Sequence, residues 1–121
     1  MPLGDEQWIR WVDRRKHKPL PRHDRAQTIE DTRGDADSRY FPGIDVAAVE
    51  REAASHGTVV PSGKEATMYK VFRFDAPIGA SQGAETDCVR VESTNGDFHG
   101  FPIAHGRYIA YLRKAERGDG R

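Results

Sequence analysis

Residues 89 to 100, VRVESTNGDFHG, restrict the fold of this chain more than any other stretch. Asn-Gly between two alternating runs signals a two-residue type I′ turn, because both central residues must adopt positive φ. With Asn95 and Gly96 as the loop, Thr94 faces Asp97, Glu92 faces His99 and Arg90 faces Phe101. Strand alternation then puts Arg90, Glu92, His99 and Phe101 on one side and Val89, Val91 and Phe98 on the other. One side of the hairpin is suited to a core, and the other is polar.

The neighbouring segments supply further elements. Residues 67 to 75, TMYKVFRFD, alternate with period two and predict a strand. Met68, Lys70, Phe72 and Phe74 share one face of it, and Tyr69, Val71 and Arg73 share the other. Upstream, Pro42 and Gly43 break the chain and Asp45 is a suitable N-cap for a helix running to about His56. Val46, Val49 and Ala53 form its apolar face, Glu50, Arg51 and Glu52 mostly point outward, and Gly57 stops it. Residues 76 to 84, APIGASQGA, read as a loop, and Tyr108, Ile109 and Leu112 predict a short helix over about 107–116, with a strand as the alternative. There is no internal repeat. This order predicts an α+β domain over residues 39–116, a small twisted antiparallel sheet with one or two helices packed on one face, followed by a frayed tail at 117–121.

At 121 residues the chain can bury one modest core, and a mean hydropathy of −0.78 leaves part of it too polar to join that core. The polar part is localised in residues 1–38, where Pro19, Pro21 and Gly34 predict a basic, largely flexible arm. Within it, Trp8, Trp11 and Val12 fall at i, i+3 and i+4, which predicts a short amphipathic helix over residues 5 to 18. Arg14, Arg15, Lys16, Lys18, Arg22 and Arg25 favour an anionic partner or form a solvated tail. A formal net charge of zero excludes a globally basic nucleic-acid binder, though not local basic patches. No apolar run approaches the roughly 18 residues of a membrane span, and the N-terminus lacks a secretory h-region. The expectation is a soluble, cytoplasmic protein without a membrane span.

Arg90, Glu92 and His99 together suit RNA cleavage without a metal. A general base takes the proton of the 2′-hydroxyl, a general acid protonates the leaving 5′-oxygen, and a guanidinium stabilises the phosphorane. Histidine and glutamate share the proton work, with Arg90 as phosphate clamp. Tyr69 or Phe101 offers a ring on which a base can stack, and Lys70 or Arg73 offers a second cation, depending on strand register. A weak cross-strand ion pair with no catalytic role accounts for the same three residues. His56 reads as a helix-end residue and His105 as a surface residue near enough to substitute as acid. Cys88, the one cysteine, shares the polar face by parity with no histidine fixed beside it, and it excludes an internal disulfide. The five histidines are scattered, and no Walker loop or dinucleotide fingerprint is present, so no metal or cofactor is expected.

The segments RYFPGIDVAAVEREAASHGTVV, YKVFRFDAPIGASQGAETDCVRVE and NGDFHGFPI, with the tyrosine-containing segment that closes the chain, resemble C-terminal toxin domains of bacterial polymorphic and contact-dependent systems. Those domains are similar to the barnase, EndoU, colicin and RelE group of ribonucleases. The resemblance covers roughly residues 39 to 115. It implies a metal-independent endoribonuclease, with His99 as the late-strand histidine and Arg90 and Glu92 as the strand-borne cation and carboxylate. Glu85, Thr86 and His105 stand behind them as second-rank catalytic candidates. It further implies an RNA substrate, with transfer RNA among the candidates, action in the cytoplasm of a target cell after delivery, and a cognate immunity protein. Such domains end long secreted proteins, whereas this sequence starts with its own methionine. The alternatives are a noncatalytic interaction module, such as an inhibitor or phage-type regulator, and an ADP-ribosylating or nucleotide-transfer toxin using Arg73 and Glu85.

Overall fold

The computed structural model describes residues 8–118. Its elements run β1 (Arg10–Trp11), a 3-10 turn (Arg15–His17), α1 (Arg25–Asp31), β2 (Arg39–Tyr40), α2 (Val46–His56), β3 (Thr58–Val60), β4 (Thr67–Arg73), β5 (Gly79–Ser81), β6 (Ala84–Thr86), β7 (Cys88–Thr94), β8 (Asp97–Ile103) and α3 (His105–Glu116). The main sheet has the order β1-β8-β7-β4-β3, and a smaller sheet has the order β2-β5-β6. The class is α+β, as the order of segments implies.

The β7–β8 hairpin has the register set by its turn: Thr94 pairs with Asp97, Glu92 with His99 and Arg90 with Phe101. Asn95 and Gly96 adopt φ of 54° and 89°, the doubly left-handed backbone of a type I′ turn. A Cβ on Gly96 would also stand 3.1 Å from the Ile9 side chain. Gly96→Ala is therefore expected to destabilise the domain by about 1–2 kcal/mol in urea unfolding, and an unchanged midpoint would remove both reasons for glycine there.

The two sheet faces carry different helices. On the Val89, Val91 and Phe98 face, α2 packs Ala53 and Ala54 together with Tyr40 and Ile78. On the Cys88 and Arg90 face, α3 brings Tyr108, Tyr111 and Leu112 against Tyr69, Val71 and Ile103. The helices thus lie on opposite faces, not together on one. Periodicity identifies a helix's apolar stripe but does not say which sheet face receives it; here both faces are apolar at the α3 end. Val71, Val89, Val91 and Ile103 are at most 1% exposed, and each such side chain contributes roughly 1.5–3 kcal/mol by leaving water.

Four further expectations are corrected. Residues 79–86 form a β5–β6 hairpin turning through Gln82 and Gly83, at φ of 56° and 79°, so most of the loop expected over 76–84 is strand and tight turn. The main sheet is mixed, because β1 runs parallel to β8. The expected helix over residues 5 to 18, of which 8–18 are described, is instead an extended segment and a 3-10 turn. There the outer edge of β8 wins: the Ile9 and Arg10 N–H groups donate to Gly96 O and the Val12 N–H donates to Phe98 O, satisfying backbone that a lone edge would leave open. Finally Glu50, expected to point outward, is 2% exposed, because the Trp11 indole and the Tyr40 hydroxyl both donate to its carboxylate.

The segment read as a flexible arm also contains α1, capped by the Asp24 carboxylate, which accepts from the Gln27 N–H at 2.8 Å. This helix lies on the smaller sheet, with Thr32 Oγ1 accepting from the Gly83 N–H at 3.0 Å. Of the expected frayed tail, residues 119–121 lie outside the described residues, as do residues 1–7 of the arm.

Candidate active site

The polar hairpin face is partly roofed. Tyr111 of α3 closes one part of it, and the chain around the 3-10 turn crosses another, leaving a pocket of about 280 Å³ lined by Arg14, Arg15, Lys16, His17, Glu92, His99 and Phe101. The pocket joins two distant pieces of sequence, the hairpin and the basic arm.

Within it, His99 Nε2 lies 3.7 Å from Glu92 Oε1, and each side chain is 22% exposed. Burial lowers the His99 pKa below its ordinary 6.5; the Glu92 carboxylate opposes that shift, and Arg14, His17 and Arg90 reinforce it. His17 is the second imidazole. Its ring stacks on Phe101 at 4.8 Å, and its Nδ1 lies 2.7 Å from the Ser38 carbonyl oxygen. A carbonyl only accepts, so Nδ1 carries the hydrogen and Nε2 carries the lone pair when the ring is neutral. Burial lowers this pKa too, opposed by the Ser38 carbonyl and Asp37 and aided by Lys16 and Arg39.

Both imidazoles are therefore expected to titrate below 6.5 in a proton NMR pH series, with His17 in the Nδ1–H form above that. The sign for stability follows. A depressed folded pKa means that the unfolded chain binds the proton more tightly, so the contribution is complete above 6.5 and is lost as the pH falls below it. Midpoints above 6.5 would contradict the assignment.

Arg90 does not stand at the pocket as a phosphate clamp. Its side chain is 9% exposed, its guanidinium carbon lies 4.1 Å from the Tyr69 ring centre and 4.5 Å from that of Phe101, and its amino groups donate to Tyr111 Oη and Glu92 Oε1. Stacked rings and a half-buried carboxylate suit a planar guanidinium, which here holds Glu92 from behind. Burial acts to raise the Tyr111 pKa but is outweighed by Arg90 and Arg107, which lower it. The cations that rim the pocket are instead Arg14, Arg15 and Lys16, all exposed.

The remaining candidates scatter. Register puts Tyr69 opposite Glu92, on the polar face, but its ring is buried against Arg90, so it offers no open surface for a base. Phe101 does line the pocket. Lys70 lies on the opposite face, where its ammonium donates to the Ala54 carbonyl and stands over Trp8, so it is no second cation here. Arg73 shares the polar face but pairs with Asp87 at 3.1 Å, opposite Cys88 in the ladder. Glu85 pairs with Arg25 at 2.7 Å on the smaller sheet, so Arg73 and Glu85 are each held by other partners. Thr86 is buried, donating to the Ile103 carbonyl. His105 lies beside Cys88 rather than Glu92: its Nδ1 is 3.9 Å from Cys88 Sγ, so a histidine does stand next to the cysteine. Burial, then Asp87, push the Cys88 thiol up to about 12, which disfavours a thiolate nucleophile at neutral pH.

Sequence reasoning missed His17. The available signal was its place within the basic run RRKHK, but nothing local indicates that this run folds back onto the hairpin. No helix among the described residues is long and apolar enough to cross a membrane. Comparison with known proteins finds no matching family model, curated protein or solved structure.

Proposed function

We propose that the protein is an endoribonuclease that cleaves RNA through 2′-hydroxyl attack, with His17 and His99 as its proton-transfer pair. The observation that carries this reading is the convergence of two half-buried imidazoles and one carboxylate on a single pocket with a cationic rim. Neutral His17 accepts the 2′-hydroxyl proton at Nε2, and the 2′-oxygen bonds to phosphorus. The P–O5′ bond breaks, and the leaving oxygen takes a proton from His99, whose imidazolium form is stabilised by Glu92. Arg90 fixes Glu92, so it is a positioning residue, while Arg14, Arg15 and Lys16 attract the phosphate backbone. Phe101, stacked on His17 and backed by the Arg90 guanidinium, holds the imidazole in place.

The proton balance predicts a 2′,3′-cyclic phosphate and a 5′-hydroxyl. Purified protein should cut RNA in EDTA with those ends, whereas 5′-phosphate ends or strict dependence on added metal would rule the mechanism out. An activity of this kind requires a dedicated inhibitor in the producing cell, and the exposed cations of the arm favour an acidic one.

A second reading has its own support. Tyr111 and the arm leave only a small pocket over the hairpin, and the 3.7 Å approach of Glu92 to His99 is one that ordinary cross-strand neighbours make. A noncatalytic interaction module needs no more than that. Absence of RNA cleavage, together with tight binding of a protein partner at the basic rim, would favour it.

A further inference from the structure

We propose that Asp87, Cys88 and His105 form a binding site for a divalent transition-metal ion of the zinc type. These residues come from the start of β7 and the first turn of α3, at the end of the sheet away from the pocket. Four residue steps separate Cys88 from Glu92, about 13 Å along β7. The two sites are separate.

The geometry points to a metal more than to any other use of a cysteine. Cys88 Sγ lies 3.2 Å from Asp87 Oδ1 and 3.9 Å from His105 Nδ1, and one ligand atom from each residue falls within 4.8 Å of the others. Tetrahedral zinc with ordinary Zn–S, Zn–N and Zn–O bonds sets its ligands about 3.5 Å apart, so closing on an ion takes only small side-chain shifts. A cysteine–histidine nucleophile would need its carboxylate on the far nitrogen of the imidazole. Here the carboxylate sits on the sulfur instead. Thiolate, imidazole and carboxylate together match the borderline-soft preference of zinc, and three protein ligands leave a fourth position for water.

The surroundings hold the ligands in place. Arg73 Nε donates to Asp87 Oδ2 at 3.1 Å, leaving Oδ1 turned to the sulfur. Thr86 Oγ1 accepts from the Cys88 N–H at 3.2 Å and donates to the Ile103 carbonyl at 2.6 Å, tying the strand end that carries the cysteine to the one that precedes His105. Such outer contacts orient ligands and strengthen binding. Without metal, the Cys88 S–H donates to Asp87 Oδ1; on binding, the ion takes the place of that proton, which passes to solvent. Cys88 is fully buried, Asp87 half-buried and His105 exposed, so an ion can enter past the histidine.

The test is titration of the EDTA-stripped protein with cobalt(II). A thiolate-to-cobalt charge-transfer band and tetrahedral visible bands should grow to one equivalent and vanish when zinc is added. His105→Ala, at an exposed position that leaves the fold intact, should weaken cobalt binding by roughly 100-fold, and Arg73→Ala by about 10-fold. Cys88→Ser should remove the charge-transfer band. Failure of wild-type protein to develop that band, or an undiminished titration in His105→Ala, would overturn the proposal.

Discussion

His99→Ala and His17→Ala should each lower RNA cleavage in EDTA by roughly 10²–10⁴-fold, the usual contribution of a general acid or base. Both rings are only half-buried, so unfolding midpoints should stay within a few degrees of wild type. The double variant should lose little more than either single one, because the two groups act in one concerted proton transfer. The pH profile separates the roles. Removing His99, the acid, should abolish the alkaline limb of the rate profile, and removing His17, the base, should abolish the acidic limb. Undiminished cleavage in His17→Ala would return proton abstraction to the Glu92 and His99 pair alone. Undiminished cleavage in His99→Ala would remove the hairpin from the mechanism.

What could be read in advance depended on how local its physics is. The Asn95-Gly96 turn needs only two residues with positive φ, and it carries the pairing of Glu92 with His99 across the whole hairpin. The Asp45 cap of α2 is equally local, its carboxylate accepting from the Ala48 N–H at 3.1 Å. The strand expected over 67–75 is present as Thr67–Arg73, but period two cannot say which face meets which. That choice required the pairing of Tyr69 with Glu92, and it separated Lys70 from the site.

The fate of Arg90 was illegible for a related reason. Alternation placed it correctly beside Glu92, yet its burial depends on Tyr111, which lies 21 residues away on the far side of the hairpin. The arm was hardest of all. A spacing of i, i+3 and i+4 fits a helical stripe, and the competing strand edge at β8 lies more than 80 residues downstream, as the 87-residue separation of the Arg10–Asp97 contact shows. His17 is invisible as a site residue until that edge is occupied.

The same long-range docking makes Glu50→Ala the most damaging single change expected, although Glu50 does not line the pocket. Its carboxylate accepts from Trp11 Nε1 at 2.7 Å and from Tyr40 Oη at 2.6 Å, and the Gly100 N–H also donates to it. Truncation leaves three donors without their acceptor and opens a gap beneath the arm. Each such buried donor costs about 1–3 kcal/mol, so the variant should lose roughly 3–5 kcal/mol, on the order of 10–15 °C in melting temperature. Glu50→Gln separates hydrogen bonding from charge. Its amide oxygen can still accept from Trp11 and its amino group can donate to Tyr40 Oη, so the loss should be under about 1.5 kcal/mol. Burial raises the Glu50 pKa above its ordinary 4.5, against the three donors, which lower it. The wild-type protein therefore loses stability as the pH rises through and above 4.5 and the buried carboxylate ionises, a component that Glu50→Gln should lack. Because Trp11 anchors the arm that carries His17, Glu50→Ala should also lose RNA cleavage even at temperatures where its sheet remains folded. A melting temperature within a few degrees of wild type would show that the arm is held without this carboxylate, and that the pocket owes its second imidazole to β1 pairing alone.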